Sequence, residues 1–296
     1  MTEASAEKRH TLCQSHTDPQ VENYPIYVVV GAGPVGVRCA EQLLEHSSDA
    51  QVVLIGAEDE APYNRVRLSQ YLSSEVSLQE LGNPVREKSG GRLAEFHNRR
   101  IVRIDRQARV VYDETGAPQP YTKLILATGS RPLVPDIPGA HLKNIIQFRY
   151  LRDAQQLTCL RDQSQTILVA GAGALGLEAA AALKTQKNQV VLLARAGLLG
   201  GKLSETSENY LKAALTALHV GLKTGVQIQE FNGRKATDGS DAVASVSLSN
   251  GETLDVDAVV LCTGIAPEIT LGKACGLDTG RGIQVSSFME TSDPDI

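Results

Sequence analysis

Two glycine clusters hold the residues best suited to chemistry. Gly31-Ala32-Gly33-Pro34-Val35-Gly36 follows the apolar run 26–30, and Gly171-Ala172-Gly173-Ala174-Leu175-Gly176 follows the apolar run 167–170. Each is a G-x-G-x-x-G at the exit of a predicted strand and the entry of a predicted helix. The three glycines have separate tasks. The first permits a tight turn, the second lets backbone N–H groups approach a pyrophosphate, and the third lets helix and strand pack closely. One such cluster is a weak sign of a dinucleotide site. Two in one chain point to two dinucleotides meeting face to face, as a flavin does when it takes a hydride from a nicotinamide.

Each cluster needs a partner at the end of its next strand. After the first, Glu58 closes the strand predicted over 51–55, where a carboxylate can accept two hydrogen bonds from an adenosine ribose. Its distance from Gly31 is a little over the usual ~20 residues, and the loop 47–50 can absorb the excess. After the second, the strand 189–193 runs into Ala194-Arg195, with no acid before Glu205. An acid there would repel the 2′-phosphate of NADP, whereas an arginine attracts it. Arg195, assisted by Lys202, could pair with that phosphate; as a solvated loop residue it would leave a site open to both nucleotides.

The surrounding pattern supplies the elements that hold these residues. Helices are predicted from Val35 to about His46, over 153–160, from Leu175 to about Lys184, and over 204–217. Residues 100–105 and 108–113 alternate as strands about a charged turn, and 121–126 is a further strand. Prolines 132, 135 and 138 exclude helix and suggest a crossover between domains. Residues 242–249 and 253–256, about Ser249-Asn250-Gly251, read as a hairpin, and 257–262 as a buried strand. The expected class is α/β: two Rossmann-like dinucleotide-binding domains with parallel sheets and β-hairpin or meander insertions. Residues 1–21 read as a disordered arm. The expected division is 22–140 with 268–296 for one domain and 141–267 for the other, because the 30-odd residues after Pro267 are too few to form a domain.

Composition excludes several alternatives. The chain has 296 residues, 42% of them hydrophobic, and a net charge of −5, enough for two ordinary domains. No basic stripe suggests nucleic acid, no apolar run is long enough to span a membrane, and no secretory signal pattern opens the chain. The five cysteines and six histidines are scattered. They suit a reducing cytoplasm and indicate no metal.

The whole of 25–296 resembles the two-dinucleotide flavoprotein reductases of the pyridine nucleotide–disulfide oxidoreductase class. The resemblance rests on both glycine clusters, on Leu124-Ile125-Leu126-Ala127-Thr128-Gly129-Ser130, on Val260-Leu261-Cys262-Thr263-Gly264-Ile265-Ala266-Pro267, and on the tail from Gly282 through Thr291-Ser292-Asp293-Pro294-Asp295-Ile296. Ala61-Pro62-Tyr63-Asn64-Arg65-Val66-Arg67-Leu68-Ser69 is similar to an element of rubredoxin and ferredoxin reductases, and most similar to the version in the large subunit of NAD(P)H nitrite reductase. The resemblance implies FAD at the first cluster and NAD(P)H at the second. It implies Arg65 beside the FAD pyrophosphate or adenine side, Ala127-Thr128-Gly129 passing close to FAD, and Gly264 passing close to the nicotinamide nucleotide. It also implies Glu178 near the nicotinamide, although a glutamate in that first turn is equally explained by the helix dipole. Gln70 departs from the lysine common in rubredoxin reductases and favours the nitrite-reductase-like branch. The family's Gly-Asp element after the tail is missing, so the chain is expected to be a fragment of a longer protein.

Family members that reduce disulfides carry two cysteines beside the flavin, yet 62–74 contains none. Cys39 and Cys262 read as packed apolar residues. The expected enzyme therefore passes hydride from NAD(P)H to FAD and electrons onward to an iron–sulfur, sirohaem or rubredoxin-type acceptor, with the chemistry borne by the flavin and no protein residue assigned to it. A stand-alone rubredoxin or ferredoxin reductase is the nearest alternative, and a non-catalytic dinucleotide-binding module is one of another class. Self-association into a homodimer stays open.

Overall fold

Val28 and Val30 point to one side of their strand and Val29 to the other, and all three are buried. A strand buried on both faces belongs inside a parallel sheet covered on both sides. The computed structural model describes residues 24–86, 92–236 and 239–296 and shows this arrangement twice. The predicted arm lies outside the described residues.

The first unit runs β1 (Ile26–Val30), α1 (Pro34–His46), β2 (Gln51–Ile55), α2 (Leu68–Leu72), α3 (Leu78–Leu81), β3 (Leu93–Phe96), a meander of β4 (Ile101–Asp105), β5 (Val110–Asp113) and β6 (Pro118–Pro120), then β7 (Lys123–Leu126). Its parallel sheet has the order β3-β2-β1-β7. α1 covers one face through Val37, Ala40 and Leu44. Ile101, Ile104, Val111 and Tyr121 cover the other.

β8 (Ser130–Pro132) leads out of this unit. The second unit then runs β9 (Ile145–Gln147), α4 (Leu151–Gln163), β10 (Thr166–Ala170), α5 (Ala174–Leu183), β11 (Gln189–Ala194), α6 (Glu205–Ala217), β12 (Val220–Thr224), β13 (Ile228–Lys235), β14 (Asp241–Leu248), β15 (Thr253–Asp255) and β16 (Ala258–Leu261). Its parallel sheet has the order β12-β11-β10-β16-β9, and β13–β15 form an antiparallel meander like that of the first unit. The chain leaves through β17 (Ile265–Pro267), which pairs antiparallel with β8, and ends beyond α7 (Thr270–Ala274). The helix expected over 153–160 is longer at both ends, and β12 and β13 carried no clear sequence signal.

The tail lies on the first unit. Leu124 N–H donates to the Asp295 carbonyl at 2.8 Å. Arg106 Nε donates to Asp293 Oδ2 at 2.6 Å. Lys123 Nζ and Arg109 both pair with the Asp295 carboxylate, and Ile296 packs against the cluster beneath β1 and β7.

One seam joins the units through their cores. Tyr63, Leu68, Leu72, Val76 and Leu81 are buried in the same cluster as Leu151, Leu157, Ala180 and Leu183. The segment that the first unit inserts between β2 and β3 thus fills the face of the second unit formed by α4 and α5.

Asp113 is the most buried acid of the first unit's meander, with 7% of its surface exposed. Its carboxylate accepts from Arg99 Nε at 2.7 Å and from Thr115 Oγ1 at 2.7 Å. Burial alone would raise this carboxyl's pKa. The Thr115 and Arg99 side chains, with the backbone N–H groups of Ala117 and Thr115, outweigh burial and hold it at about 2. Asp113→Ala leaves Arg99 without its partner and is expected to cost ~3 kcal/mol of unfolding free energy at pH 7, measured by urea denaturation. Because the folded pKa is the lower one, this advantage of the parent protein is full above about pH 4 and fades as pH falls toward 2. A gap independent of pH across that window would refute the assignment.

Two dinucleotide cradles

The first cradle begins where β1 ends. Gly31 N–H donates to the Ile55 carbonyl at 2.8 Å, and Gly31 takes φ +116°, where a side chain would be strained. A Cβ on Gly31 would sit 2.2 Å from the Ala127 carbonyl oxygen, and one on Gly36 would sit 1.8 Å from that of Gly31. Helix, turn and the end of β7 therefore touch backbone to backbone. Gly33 caps α1 and offers no side chain, and Pro34 opens the helix. The N–H groups of the first turn are left for a ligand. Among the described residues, the Arg65 guanidinium alone comes within 4 Å of where a Gly33 Cβ would be, outside the chain neighbours, and it stands 3.6 Å away.

Glu58, beyond β2, stands at the side of this turn. Its Oε1 accepts from Arg65 Nη2 at 2.9 Å, and its Oε2 accepts from Tyr63 Oη at 2.6 Å. The guanidinium lies 5.4 Å from the Tyr63 ring centre and 5.9 Å from that of Tyr150. Arg149 approaches from the second unit. Its Nε donates to the Ser130 carbonyl at 3.0 Å, and its Nη2 lies 3.8 Å from a Cβ built on Gly129. Burial, and then the positive charge of Arg65, lower its pKa. The turn Ala127-Thr128-Gly129 is pinned by the returning chain: Thr128 Oγ1 donates to the Glu268 carbonyl at 3.1 Å, and Glu268 N–H donates to that of Gly129 at 3.0 Å.

The second cradle repeats the first. Gly171 takes φ +113°, and its Cβ would meet the Cys262 carbonyl oxygen at 2.3 Å; a Gly176 Cβ would meet that of Gly171 at 1.7 Å. Gly173 caps α5 with no side-chain cap, ahead of Ala174 and Leu175, and among the described residues nothing beyond its chain neighbours comes within 4 Å of where its Cβ would be. Leu199 N–H donates to the Ala172 carbonyl at 2.8 Å, which brings the loop after Arg195 beside the turn. Arg195 itself is exposed. Gly264, at φ +110°, faces Leu133, and Thr263 Oγ1 donates to the Leu133 carbonyl at 2.6 Å.

The sequence-predicted residues thus gather in two places. Gly31, Gly33, Pro34, Gly36, Glu58, Arg65, Ala127, Thr128 and Gly129 surround the first cradle. Gly171, Gly173, Ala174, Leu175, Gly176 and Gly264 surround the second, with Arg195 at its rim. Glu178 stands at the seam, where its Oε2 accepts from Ser69 Oγ at 2.9 Å. Tyr63 and Arg149 escaped the sequence reading; Tyr63 sits inside a segment singled out for other residues, and nothing local marks Arg149. Burial pushes the Cys262 thiol up to about 12, far from a reactive thiolate. Among the described residues no three His, Cys, Asp or Glu side chains gather as metal ligands, and no helix is long and apolar enough to cross a membrane.

The profile of the pyridine nucleotide-disulphide oxidoreductase family matches residues 26–296. The chain belongs to that family. FAD and NAD(P)H are the family's cofactors, and two open glycine cradles fit two dinucleotides. The chain is 31% identical over 272 residues to the nitrite reductase [NAD(P)H] of Bacillus subtilis strain 168, covering 91% of this chain and 33% of the relative. It is 33% identical over 275 residues to the rhodocoxin reductase of Rhodococcus erythropolis, covering 91% and 62%. Among solved structures it is similar to a putidaredoxin reductase–putidaredoxin complex, with TM-score 0.83 and 26% identity, covering 92% of this chain and 66% of that one. The chain thus spans about a third of the nitrite reductase it resembles and under two thirds of the rhodocoxin reductase.

Gly33 and Gly173 have φ of −76° and −74°, which any residue adopts. Gly33→Val and Gly173→Val are therefore expected to melt within a few degrees of the parent while each fills one cradle. Gly33→Val should lose bound FAD, read as flavin absorbance. Gly173→Val should keep FAD and raise the NAD(P)H concentration needed to reduce it. Loss of flavin by Gly173→Val alone would reverse the assignment of the sites.

Proposed function

We propose that this chain is the flavin module of an NAD(P)H-dependent reductase that delivers electrons to an iron-containing acceptor, most like the reductase part of an assimilatory nitrite reductase. The observation that carries this reading is the repeat of one glycine cradle in two units that share a core, with Gly36 and Gly176 each packed against the turn before its helix. Bound FAD would accept hydride from NAD(P)H and release electrons singly. The protein's own part is to bind and orient. The N–H groups at the start of α1 take the FAD pyrophosphate, Glu58 takes the adenosine ribose, and Arg65 and Arg149 offset phosphate charge. The start of α5 takes the NAD(P)H pyrophosphate, and Gly264 lets the nucleotide pass close to the backbone. Glu178, fixed by Ser69, stands at the nicotinamide end.

Gln70 supports the nitrite-reductase-like reading over a stand-alone rubredoxin reductase. Its Oε1 accepts from Arg67 Nε at 2.8 Å, which engages a position where rubredoxin-type relatives often carry a lysine. Sirohaem or an iron–sulfur centre as acceptor, a cytoplasmic location and a homodimeric state belong to the same proposal. So does the division of the chain into 22–140 with 268–296 and 141–267, which the β8–β17 pair and the seating of the tail on β7 support. Anaerobic addition of NAD(P)H to the FAD-loaded protein should bleach the flavin absorbance; a spectrum that stays unbleached would sink the reading.

Arg195 is exposed beside the second turn, at the end of a strand that offers no acid. The corresponding expectation is use of NADPH, alone or beside NADH. Arg195→Ala removes one charge-assisted contact and should raise the KM for NADPH about 10-fold or more while sparing NADH. A strong NADH preference that Arg195→Ala leaves unchanged would overturn it.

A further inference from the structure

Tyr63 stands between the first cradle and the second unit. It is 5% exposed. Its hydroxyl donates to Glu58 Oε2 at 2.6 Å and accepts the Leu151 N–H at 3.0 Å. Leu151 is the first residue of α4, so its N–H has no partner within the helix. The neighbouring N–H groups of Arg149 and Tyr150 donate to Asp153 Oδ2, and that of Leu151 depends on the phenol. The line from helix end to phenol to carboxylate has one sense. The N–H and the positive end of α4 draw electron density from the phenol oxygen, which strengthens its O–H as a donor. The 2.6 Å contact has the length of a charge-assisted O–H···O⁻ bond. Burial, and next the hydrogen bond to Glu58, push the phenol pKa up, so the donor proton stays in place at neutral pH.

A glutamate that binds a ribose diol must hold one rotamer. An exposed glutamate would lose that freedom on binding, at a cost set against affinity. Here Tyr63 fixes one oxygen before the nucleotide arrives. Leu151 then fixes Tyr63, and Leu151 belongs to the other unit. We infer that Tyr63 is a positioning residue that presets Glu58 for the FAD ribose and makes FAD binding at the first cradle depend on the docking of helix α4. The inference rests on the reading of Glu58 as the ribose carboxylate. Coupling of this kind is reciprocal: FAD held by Glu58 must in turn hold the Leu151 N–H.

The test is FAD titration of the full chain, followed by flavin fluorescence, for the parent, Tyr63→Phe, Glu58→Ala and the double variant. Tyr63→Phe should weaken FAD binding about 10-fold, and should have no further effect once Glu58 is alanine. Hydrogen exchange supplies a reading that needs no variant: FAD should raise the protection of the Leu151 amide in the parent protein. Parent-like affinity in Tyr63→Phe, an equal loss in both backgrounds, or a Leu151 amide indifferent to FAD would each overturn the inference while leaving the ribose reading intact. Parent-like affinity in Glu58→Ala, or a parent that binds no FAD, would overturn the ribose reading and the inference with it.

Discussion

Helix α1 can start where it does because Gly36 has no side chain. A Cβ there would lie 1.8 Å from the Gly31 carbonyl oxygen, and the matching Cβ at Gly176 would lie 1.7 Å from that of Gly171. Both distances are far inside contact, and in each case the obstacle is backbone that other hydrogen bonds hold in place. Any side chain would lift the helix off its turn. The helix end would then no longer point along the carboxyl edge of the sheet, and its free N–H groups would miss the cradle. Gly33 and Gly173 play the opposite part. Their missing side chains leave space for a ligand instead of closing a gap between elements. Two kinds of glycine, three residues apart, thus separate what the fold requires from what the site requires.

The second constraint is the shared core. Leu68, Leu72 and Leu81 come from the first unit and are at most 3% exposed among residues of the second. Each such side chain contributes ~1.5–3 kcal/mol when buried. The exposed Ser69–Glu178 hydrogen bond contributes ~1 kcal/mol at most. Apolar burial therefore sets where the units meet, and the polar contacts set how the side chains at the seam are oriented. That order matters for the chemistry proposed here, because two nucleotides can exchange a hydride only if their cradles are held at a fixed separation. A linker of prolines alone would not fix it. The β8–β17 pair and the α2 insertion do.

Much of this was legible in the sequence because it is local. A glycine turn, an apolar strand before it and a helix after it lie within about a dozen residues, and each follows from the steric needs of a few backbone atoms. The Asn250-Gly251 hairpin and the buried run at β16 are readable for the same reason. β12 and β13 were less so. β12 carries Gly221, and β13 is mostly polar with one buried Phe231, so neither shows the alternation that marks a half-buried strand. β3 and β9 are short edge strands whose pairing is decided by distant neighbours. The site residues divide in the same way. Glu58 and Gly129 belong to local motifs. Arg149 follows the edge strand β9 and reaches the first cradle only through the packing of one unit on the other, and Tyr63 gains its meaning from an N–H distant in the sequence, that of Leu151. No local pattern encodes a contact of that kind.

Electrostatics make the two cradles unequal. Arg65 and Arg149 converge on the first from opposite units. Both are half-buried, and Arg149 has its pKa lowered by burial and by the charge of Arg65. Two guanidinium groups near one another in a partly dry site repel. Glu58 offsets Arg65 directly, through the 2.9 Å pair, and reaches Arg149 more weakly, while Arg149 Nε donates to the Ser130 carbonyl. An anion between the two turns would relieve that repulsion, and a pyrophosphate carries the right charge to do so. Among the described residues no such pair of guanidinium groups converges on the second cradle. The space over Gly173 is open, and Arg195 at its rim is exposed, so a charge placed there is screened by water. A nucleotide in the first cradle would complete a set of half-buried charges, and one in the second would settle on an exposed rim. On the proposed assignment the first would retain its ligand and the second would exchange it, the division of labour between a prosthetic flavin and a nicotinamide that arrives, reacts and leaves.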